Sequence, residues 1–152
     1  MVEMKTEEPL LERAIRVALG AHGGQTYPSP EPEPYILHPL RVMCSLDGEW
    51  ERIAAVLHDV VEDSAVTLSH LEREGFPPHL LRTLDCLTHR PGEGYSAYIE
   101  RVATDVTAAH VKIADLEDNL WNNRRLNRTL DVEARIQRYE QALARLKGQD
   151  VA

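Results

Sequence analysis

The segment IAAVLHDVVEDS, residues 53–64, decides how the fold is interpreted. At 3.6 residues per turn, one continuous apolar arc of a helix is shared by Ile53, Ala54, Val56, Leu57, Val60 and Val61. The polar residues on the opposite arc are His58, Asp59, Glu62 and Asp63. We therefore predict one helix from Gly48 to Asp63 whose apolar arc packs against a core.

The polar arc carries an imidazole and three carboxylates at i,i+4 spacing, where side chains can meet. A solvated face of an amphipathic helix gives the same pattern and is the more common explanation. No Lys or Arg occurs between Ile53 and Glu72, however, so the carboxylates have no basic neighbour on their own helix. A histidine among oxygen ligands suits Mn²⁺, Fe²⁺, Co²⁺ or Zn²⁺, which makes a metal site the second hypothesis.

Two residues elsewhere could add ligands to such a site. His38 follows the only clearly irregular segment and begins a helix, where a structural hydrogen bond is the alternative role. Asp115 lies between Lys112 and Asn119 on one polar stripe of a later helix, which a solvated surface stripe would also explain.

Helical periodicity extends over most of the remaining chain. Residues 23–34 are the exception, because four prolines and two glycines cannot continue a helix, and we predict a surface loop without strands. The other helices are predicted at about 7–22, 35–46, 67–74, 77–88, 95–104, 107–123 and 131–147. The predicted fold class is all-α: one helical-bundle domain over residues 1–152, with a core at about 7–125 and a C-terminal helix at about 131–147.

Composition restricts the partners. The formal net charge of −8 disfavours nucleic-acid polymers and anionic membranes, but a small nucleotide or phosphate ester needs only local positive charge. No apolar run reaches membrane-spanning length. Cys44 and Cys86 lie far apart in apolar settings, so we expect buried free thiols and a cytoplasmic location. A homo-oligomer is compatible with these features.

Four blocks of sequence resemble a known family. In the order His38, His58-Asp59 and Asp115, the chain resembles the metal signature of HD-domain phosphohydrolases. The surrounding segments narrow the resemblance to the hydrolase domain of RelA/SpoT-type (p)ppGpp enzymes, and most closely to the small alarmone hydrolases. Those segments are AHGGQ (21–25), PYILHP (34–39), AAVLHDVVEDS (54–64) and VKIADLEDN (111–119).

The resemblance implies a fold, a site and a reaction. It implies a single HD-domain bundle with one divalent metal ion, typically Mn²⁺, held by His38, His58, Asp59 and Asp115. It further implies that Glu62 and Asp63 serve the attacking water and that Lys112 and Asn119 contact the nucleotide. The implied reaction removes pyrophosphate from the 3′ position of guanosine tetra- or pentaphosphate.

The chain departs from this family after Gly24-Gln25. A basic residue usually follows there, whereas this chain has Thr26-Tyr27 and then a loop containing Glu31 and Glu33. The arginines that could compensate are Arg90, Arg124 and Arg125. Two alternatives therefore stay open: a phosphohydrolase acting on another nucleotide or small phosphate ester, and a catalytically silent nucleotide-binding domain.

Overall fold

Helices dominate residues 8–148, the part of the chain that the computed structural model describes. The elements in chain order are α1 (Leu10–Ala21), β1 (Thr26–Tyr27), β2 (Glu33–Pro34), α2 (Leu37–Cys44), α3 (Glu49–Leu57), α4 (Val60–Asp63), α5 (Leu68–Arg73), α6 (Pro78–Leu87), α7 (Tyr95–Val102), α8 (Val106–Arg124) and α9 (Leu130–Leu146). The predicted all-α class is confirmed. The first helix was expected to begin at Glu7, which lies outside the described residues.

Helix α3 lies at the centre of the bundle. It packs against α1, α2, α6 and α8. The side chains from Ile53 to Leu57 are completely buried, including Ala55, which the helical projection did not place on the apolar arc. A helical segment that is apolar on all sides, as Ile53 to Leu57 is, belongs in the interior rather than at a surface. The residue that directly follows Leu57 therefore lies in the core.

The predicted continuous helix from Gly48 to Asp63 is wrong at His58 and Asp59. Helix α3 ends at Leu57, and α4 begins at Val60. Asp59 has φ −101° and ψ −2°, a sparsely populated backbone region in which active-site residues often occur. The turn leaves His58 only 3% exposed, so its side chain does not lie on a solvated arc. Apolar periodicity continues across the turn and therefore gives no sign of it.

The segment 23–34 contains a small hairpin, which the prediction of a strand-free loop missed. Thr26 pairs with Pro34 and Tyr27 pairs with Glu33 in antiparallel register. Proline has no backbone N–H to donate to a neighbouring strand. In sheets it therefore occurs mainly on edge strands, such as β2. The hairpin buries the side chain of Tyr27, which is 4% exposed.

The remaining helices agree with the predicted ranges to within a few residues. Thr67 caps α5: its Oγ1 accepts a hydrogen bond from the amide of His70 at 3.2 Å. The Nδ1 atom of His70 accepts one from the amide of Thr67 at 3.1 Å, which completes a reciprocal cap.

Helix α8 is 19 residues long and buries several polar residues, among them Asp115, Asn122 and Asn123. It packs against α3 and α9, and a small apolar cluster of Leu120, Val132 and Ile136 joins α8 to α9. Within residues 8–148, no helix combines the length and the apolar character needed to cross a lipid bilayer. The predicted domain over residues 1–152 includes 1–7 and 149–152, which lie outside the described part.

The two cysteines are free thiols, as predicted. The expectation that both are buried is wrong, because Cys44 is exposed and Cys86 is only partly buried. Cys44 is the last residue of α2.

A pair of leucine variants tests this description of the core. Leu84, in α6, is 1% exposed, whereas Leu130, at the start of α9, is 90% exposed. We expect Leu84→Ala to lower the free energy of unfolding by about 2–5 kcal/mol, because it leaves a cavity in a packed interior. Leu130→Ala makes the same chemical change at the surface and should stay within about 0.5 kcal/mol. Urea unfolding measures both, and equal losses would contradict the core described here.

Candidate metal centre and active-site cavity

Two buried histidines meet at the centre of the molecule. His38 comes from the first turn of α2, and His58 comes from the turn between α3 and α4. The ring of His38 uses Nδ1 to donate a hydrogen bond to the Asp118 carboxylate at 2.6 Å. The ring of His58 uses Nδ1 to donate to the carbonyl oxygen of Ala55. With both Nδ1 atoms engaged, the two Nε2 atoms are left to face the interior.

Two carboxylates meet these Nε2 atoms. Asp115 Oδ1, from α8, lies 2.9 Å from His38 Nε2 and 3.1 Å from His58 Nε2. Asp59 Oδ2 lies 3.0 Å from His58 Nε2 and 3.7 Å from His38 Nε2. The structure thus brings all four predicted ligands together, with one ligand atom from each lying within 4.8 Å of all the others.

The chemistry of this cluster fits a divalent cation. Neutral imidazole nitrogens and ionised carboxylate oxygens are all acceptors, and buried acceptors that face one another need a positive charge between them. Two nitrogen and two oxygen donors form a set that first-row divalent metals accept. The Nδ1 bonds to Asp118 and Ala55 also fix the ring orientation and tautomer, as the outer partners of metal-bound histidines do.

The directions in which the pKa values of the cluster shift also indicate that it requires positive charge. Burial alone would lower the pKa of His58, but the carboxylates of Asp59 and Asp115 outweigh burial and raise it well above its usual value. Burial would raise the pKa of Asp115, but Lys112 and His58 hold it well below the usual range. In a metal-free protein, protons on the imidazoles would therefore supply the charge that a metal ion supplies when bound.

Lys112 and Asn119, the predicted nucleotide contacts, lie on either side of Asp115. The ammonium group of Lys112 donates to Asp115 Oδ2 at 2.8 Å, and Asn119 Nδ2 donates to Asp115 Oδ1 at 3.1 Å. Both side chains also line the adjacent cavity. They hold Asp115 in place and at the same time offer donors to a ligand in that cavity.

Two tyrosines support the cluster, and the sequence analysis assigned neither of them a role. Tyr35 donates a hydrogen bond to Asp59 Oδ2 at 2.5 Å, and Tyr27 donates one to Asn119 Oδ1 at 2.6 Å. Burial, reinforced by nearby carboxylates, raises the pKa of both phenols, so they remain protonated donors. The PYILHP segment contains Tyr35, but nothing in its spacing indicates a partner 24 residues away.

Glu62 and Asp63 lie beside Asp59 at the mouth of the cavity. Glu62 Oε1 accepts a hydrogen bond from the backbone amide of His89 at 2.8 Å, and Gln25 Nε2 donates to the carbonyl oxygen of Asp63 at 2.8 Å. Partial burial, together with the charge of Asp59, raises the pKa of both carboxyl groups. A carboxylate with a raised pKa is a stronger base than an ordinary one.

The cluster opens into a cavity of about 490 Å³, within the size range of small-molecule sites. One wall comes from α7, α9 and the segment before α7, none of which was predicted to belong to the site. The residues on that side are His89, Tyr95, Tyr98, Arg138 and Tyr139. Helix α9 has the pattern of an ordinary amphipathic helix, and its contribution depends on tertiary packing against α7 and α8.

The three arginines proposed to replace the missing basic residue are engaged elsewhere. Arg90 pairs with Asp85 at 3.0 Å, and Arg124 pairs with Glu140 at 3.2 Å. The guanidinium of Arg125 lies over the ring of Trp121, 5.6 Å from its centroid. None of the three lines the cavity.

Asp118 connects the cluster to the hairpin. Besides accepting from His38, its carboxylate accepts from Arg41 Nε at 2.9 Å and from Arg41 Nη2 at 3.1 Å. Arg41 also pairs with Glu33 of β2. Glu33 is thus linked through Arg41 and Asp118 to His38, a predicted metal ligand.

Comparison with known proteins identifies relatives of this chain. No family model matches the chain. The guanosine-3′,5′-bis(diphosphate) 3′-pyrophosphohydrolase MESH1 of Mus musculus is 32% identical over 160 residues, which cover 95% of this chain and 87% of the relative. The bifunctional (p)ppGpp synthase/hydrolase SpoT of Escherichia coli (strain K12) is 33% identical over 129 residues, which cover 72% of this chain. The match spans 17% of the length of that bacterial relative.

A solved structure shares the fold. A chain described as a metazoan ortholog of SpoT that hydrolyses ppGpp superposes with a TM-score of 0.78 at 23% identity. The superposition covers 95% of this chain and 89% of the other. At that identity the match establishes the common architecture.

The outer contact at His38 gives a test of metal binding. We expect Asp118→Asn to weaken Mn²⁺ binding about 10- to 100-fold, because it weakens the bond that orients His38. Glu117→Gln is the matched control: it removes one negative charge from the neighbouring residue, which pairs with Lys147 at 3.0 Å on the other side of α8. Calorimetric titration of metal-free protein measures both affinities, and an unchanged affinity in Asp118→Asn would contradict this role.

Proposed function

The chain belongs to the family of guanosine-3′,5′-bis(diphosphate) 3′-pyrophosphohydrolases, and from this membership we propose that it is a metal-dependent enzyme acting on that nucleotide. Water adds to the phosphorus attached to the 3′ oxygen, the bond between that phosphorus and the 3′ oxygen breaks, and pyrophosphate leaves. The 3′ oxygen gains a proton and becomes a hydroxyl, and the nucleoside keeps its 5′ diphosphate. The observation that carries the proposal is the buried cluster of His38, His58, Asp59 and Asp115 beside two further carboxylates in one cavity.

The four clustered side chains would hold one divalent ion, which we propose to be Mn²⁺. When bound, such an ion supplies Lewis-acid stabilisation of charge on the phosphoryl group and makes a water molecule more acidic. Both histidines present Nε2 to this position because their Nδ1 atoms are already engaged. The hydrogen bond from Tyr35 holds Asp59 in place.

Glu62 and Asp63 would orient the attacking water and accept its proton. Their raised pKa values make them better bases than carboxylates of ordinary pKa. The amide of His89 binds one oxygen of Glu62 and leaves the other oxygen available. Lys112 is the cation nearest the cluster and offsets phosphate charge that the surrounding carboxylates would otherwise repel. Asn119 would contact the nucleotide through the same wall of the cavity.

Turnover tests the proposal directly. Purified protein loaded with Mn²⁺ should convert guanosine 3′,5′-bis(diphosphate) to pyrophosphate and guanosine 5′-diphosphate, and removal of the metal with a chelator should abolish the reaction. Well-folded, metal-loaded protein that releases no pyrophosphate would refute the proposed activity.

Variants of the acidic pair test the proposed base. One of the two carboxylates takes the proton from water in this proposal. The variant that removes that carboxylate, Glu62→Gln or Asp63→Asn, should lower kcat about 10²- to 10⁴-fold. In Glu62→Gln the new side-chain carbonyl can still accept from the His89 amide, so this substitution keeps the local structure. Glu72→Gln, at an exposed position in α5, is the control and should leave kcat unchanged. Metal affinity is measured in parallel, and a kcat within tenfold of wild type in both variants would show that neither carboxylate is the base.

The hairpin keeps a second substrate class open. Thr26-Tyr27 takes the place of the expected basic residue, and Glu31 and Glu33 follow it, which favours a less highly charged nucleotide or phosphate ester. A phosphate-release screen across nucleoside monophosphates, cyclic nucleotides and small phosphate esters separates the two. Release confined to guanosine 3′,5′-bis(diphosphate) would reject this alternative.

We also propose a cytoplasmic location, which the two free thiols favour. A homo-oligomer stays a prediction that sedimentation of the purified protein would test.

A further inference from the structure

Most of the charged side chains that line the cavity described above are acidic. The lysine and arginine side chains among them differ in whether a carboxylate pairs with them. Four carboxylates line it: Asp59, Glu62, Asp63 and Asp115. Among residues 8–148, lysine and arginine contribute only Lys112 and Arg138 to the same lining. Lys112 is committed to Asp115 at 2.8 Å. Arg138, by contrast, forms no ion pair with any carboxylate in the described part of the chain.

Tyrosine rings hold the Arg138 guanidinium in position. Its Cζ atom lies 4.9 Å from the ring centroid of Tyr95 and 5.6 Å from that of Tyr139. Contact with ring faces orients a guanidinium while leaving its N–H groups free to bind an anion in two-pronged geometry. An arginine that is oriented, charged and unpaired at a cavity wall is suited to bind a ligand anion.

A second donor lies next to it without a partner. The hydroxyl of Tyr95 is buried and forms no hydrogen bond within residues 8–148. Buried polar atoms of this kind are rare, because an unsatisfied donor costs stability. A ligand anion between Arg138 and the Tyr95 hydroxyl would satisfy both groups.

The charge of the proposed substrate requires such a site. Guanosine 3′,5′-bis(diphosphate) carries two diphosphate groups, and the cluster with Lys112 accounts for the one that is cleaved. The hairpin offers no cation for the other, since Thr26-Tyr27 stands where a basic residue was expected. Arg41 lies near the hairpin but is bound to Glu33 and Asp118.

We propose that Arg138, with the Tyr95 hydroxyl, binds the 5′-diphosphate and so determines specificity for a nucleotide phosphorylated at both ends. The proposal rests on the proposed function and names a subsite within it. The positive charge missing from the hairpin is supplied from α9, on a different wall of the same cavity. Arg138 acts on substrate binding, whereas the bond cleavage depends on the cluster and the acidic pair.

Steady-state kinetics with two substrates test this assignment. For guanosine 3′,5′-bis(diphosphate), we expect Arg138→Gln to raise KM about 10- to 100-fold, the range for losing charge-assisted hydrogen bonds, with little change in kcat. For guanosine 3′-diphosphate, which has a free 5′ hydroxyl, the same substitution should leave KM unchanged. Arg138→Lys keeps the charge without the planar fork and should restore part of the loss. Arg128→Gln is the matched control, since that exposed arginine pairs with Glu133 outside the cavity.

Calorimetric binding of guanosine 5′-diphosphate gives a readout that needs no turnover. Wild type and Arg128→Gln should bind it equally, and Arg138→Gln should bind it at least tenfold more weakly. Equal binding by all three proteins, or equal kinetic losses on both substrates, would overturn the subsite. If wild type fails to cleave the bis(diphosphate) but binds guanosine 5′-diphosphate through Arg138, the proposed reaction fails and the anion subsite stands.

Discussion

Four hydrogen-bond acceptors face one another in the interior of this protein, and that arrangement requires a positive charge. The Nε2 atoms of His38 and His58 lie 2.9 and 3.1 Å from the same oxygen of Asp115, whereas Lys112 pairs with the other oxygen of that carboxylate. Buried acceptors in such proximity repel one another unless a metal ion or protons lie between them. The hydrogen bonds made by Nδ1 of His38 and of His58 keep both Nε2 atoms facing inward. The chain belongs to a family of pyrophosphohydrolases, and a positive charge at this point would assist the cleavage of a phosphate bond.

The central helix α3 ends at Leu57, directly before two residues of the cluster. The last five residues of α3, Ile53 to Leu57, are completely buried, and the end of the helix at Leu57 places His58 and Asp59 in the interior. Helix α8 brings Asp115 to the same point, with Lys112 and Asn119 bonded to it. Stability and the proposed function are therefore linked, because the residues that pack α3 against its neighbours also set the position of two predicted ligands.

Much of this could be predicted from sequence, for identifiable physical reasons. The helices follow from apolar periodicity, and the four clustered residues follow from the resemblance of short segments whose order the fold preserves. The turn at His58-Asp59 could not be predicted, because apolar residues continue at helical spacing on both sides of it. The roles of Tyr27, Tyr35 and Arg138 were missed because each depends on a contact between elements distant in sequence. A basic residue was sought near the hairpin, whereas the cavity takes its unpaired cation from α9.

We propose that two imidazoles and two carboxylates hold one divalent ion, and pulsed electron paramagnetic resonance of the protein loaded with one equivalent of Mn²⁺ tests this. The electron-spin-echo modulation reports nitrogen nuclei bound to the ion. We expect modulation from two histidine nitrogens, one from His38 and one from His58. A spectrum of stoichiometrically bound Mn²⁺ without nitrogen modulation would show that neither histidine binds the ion.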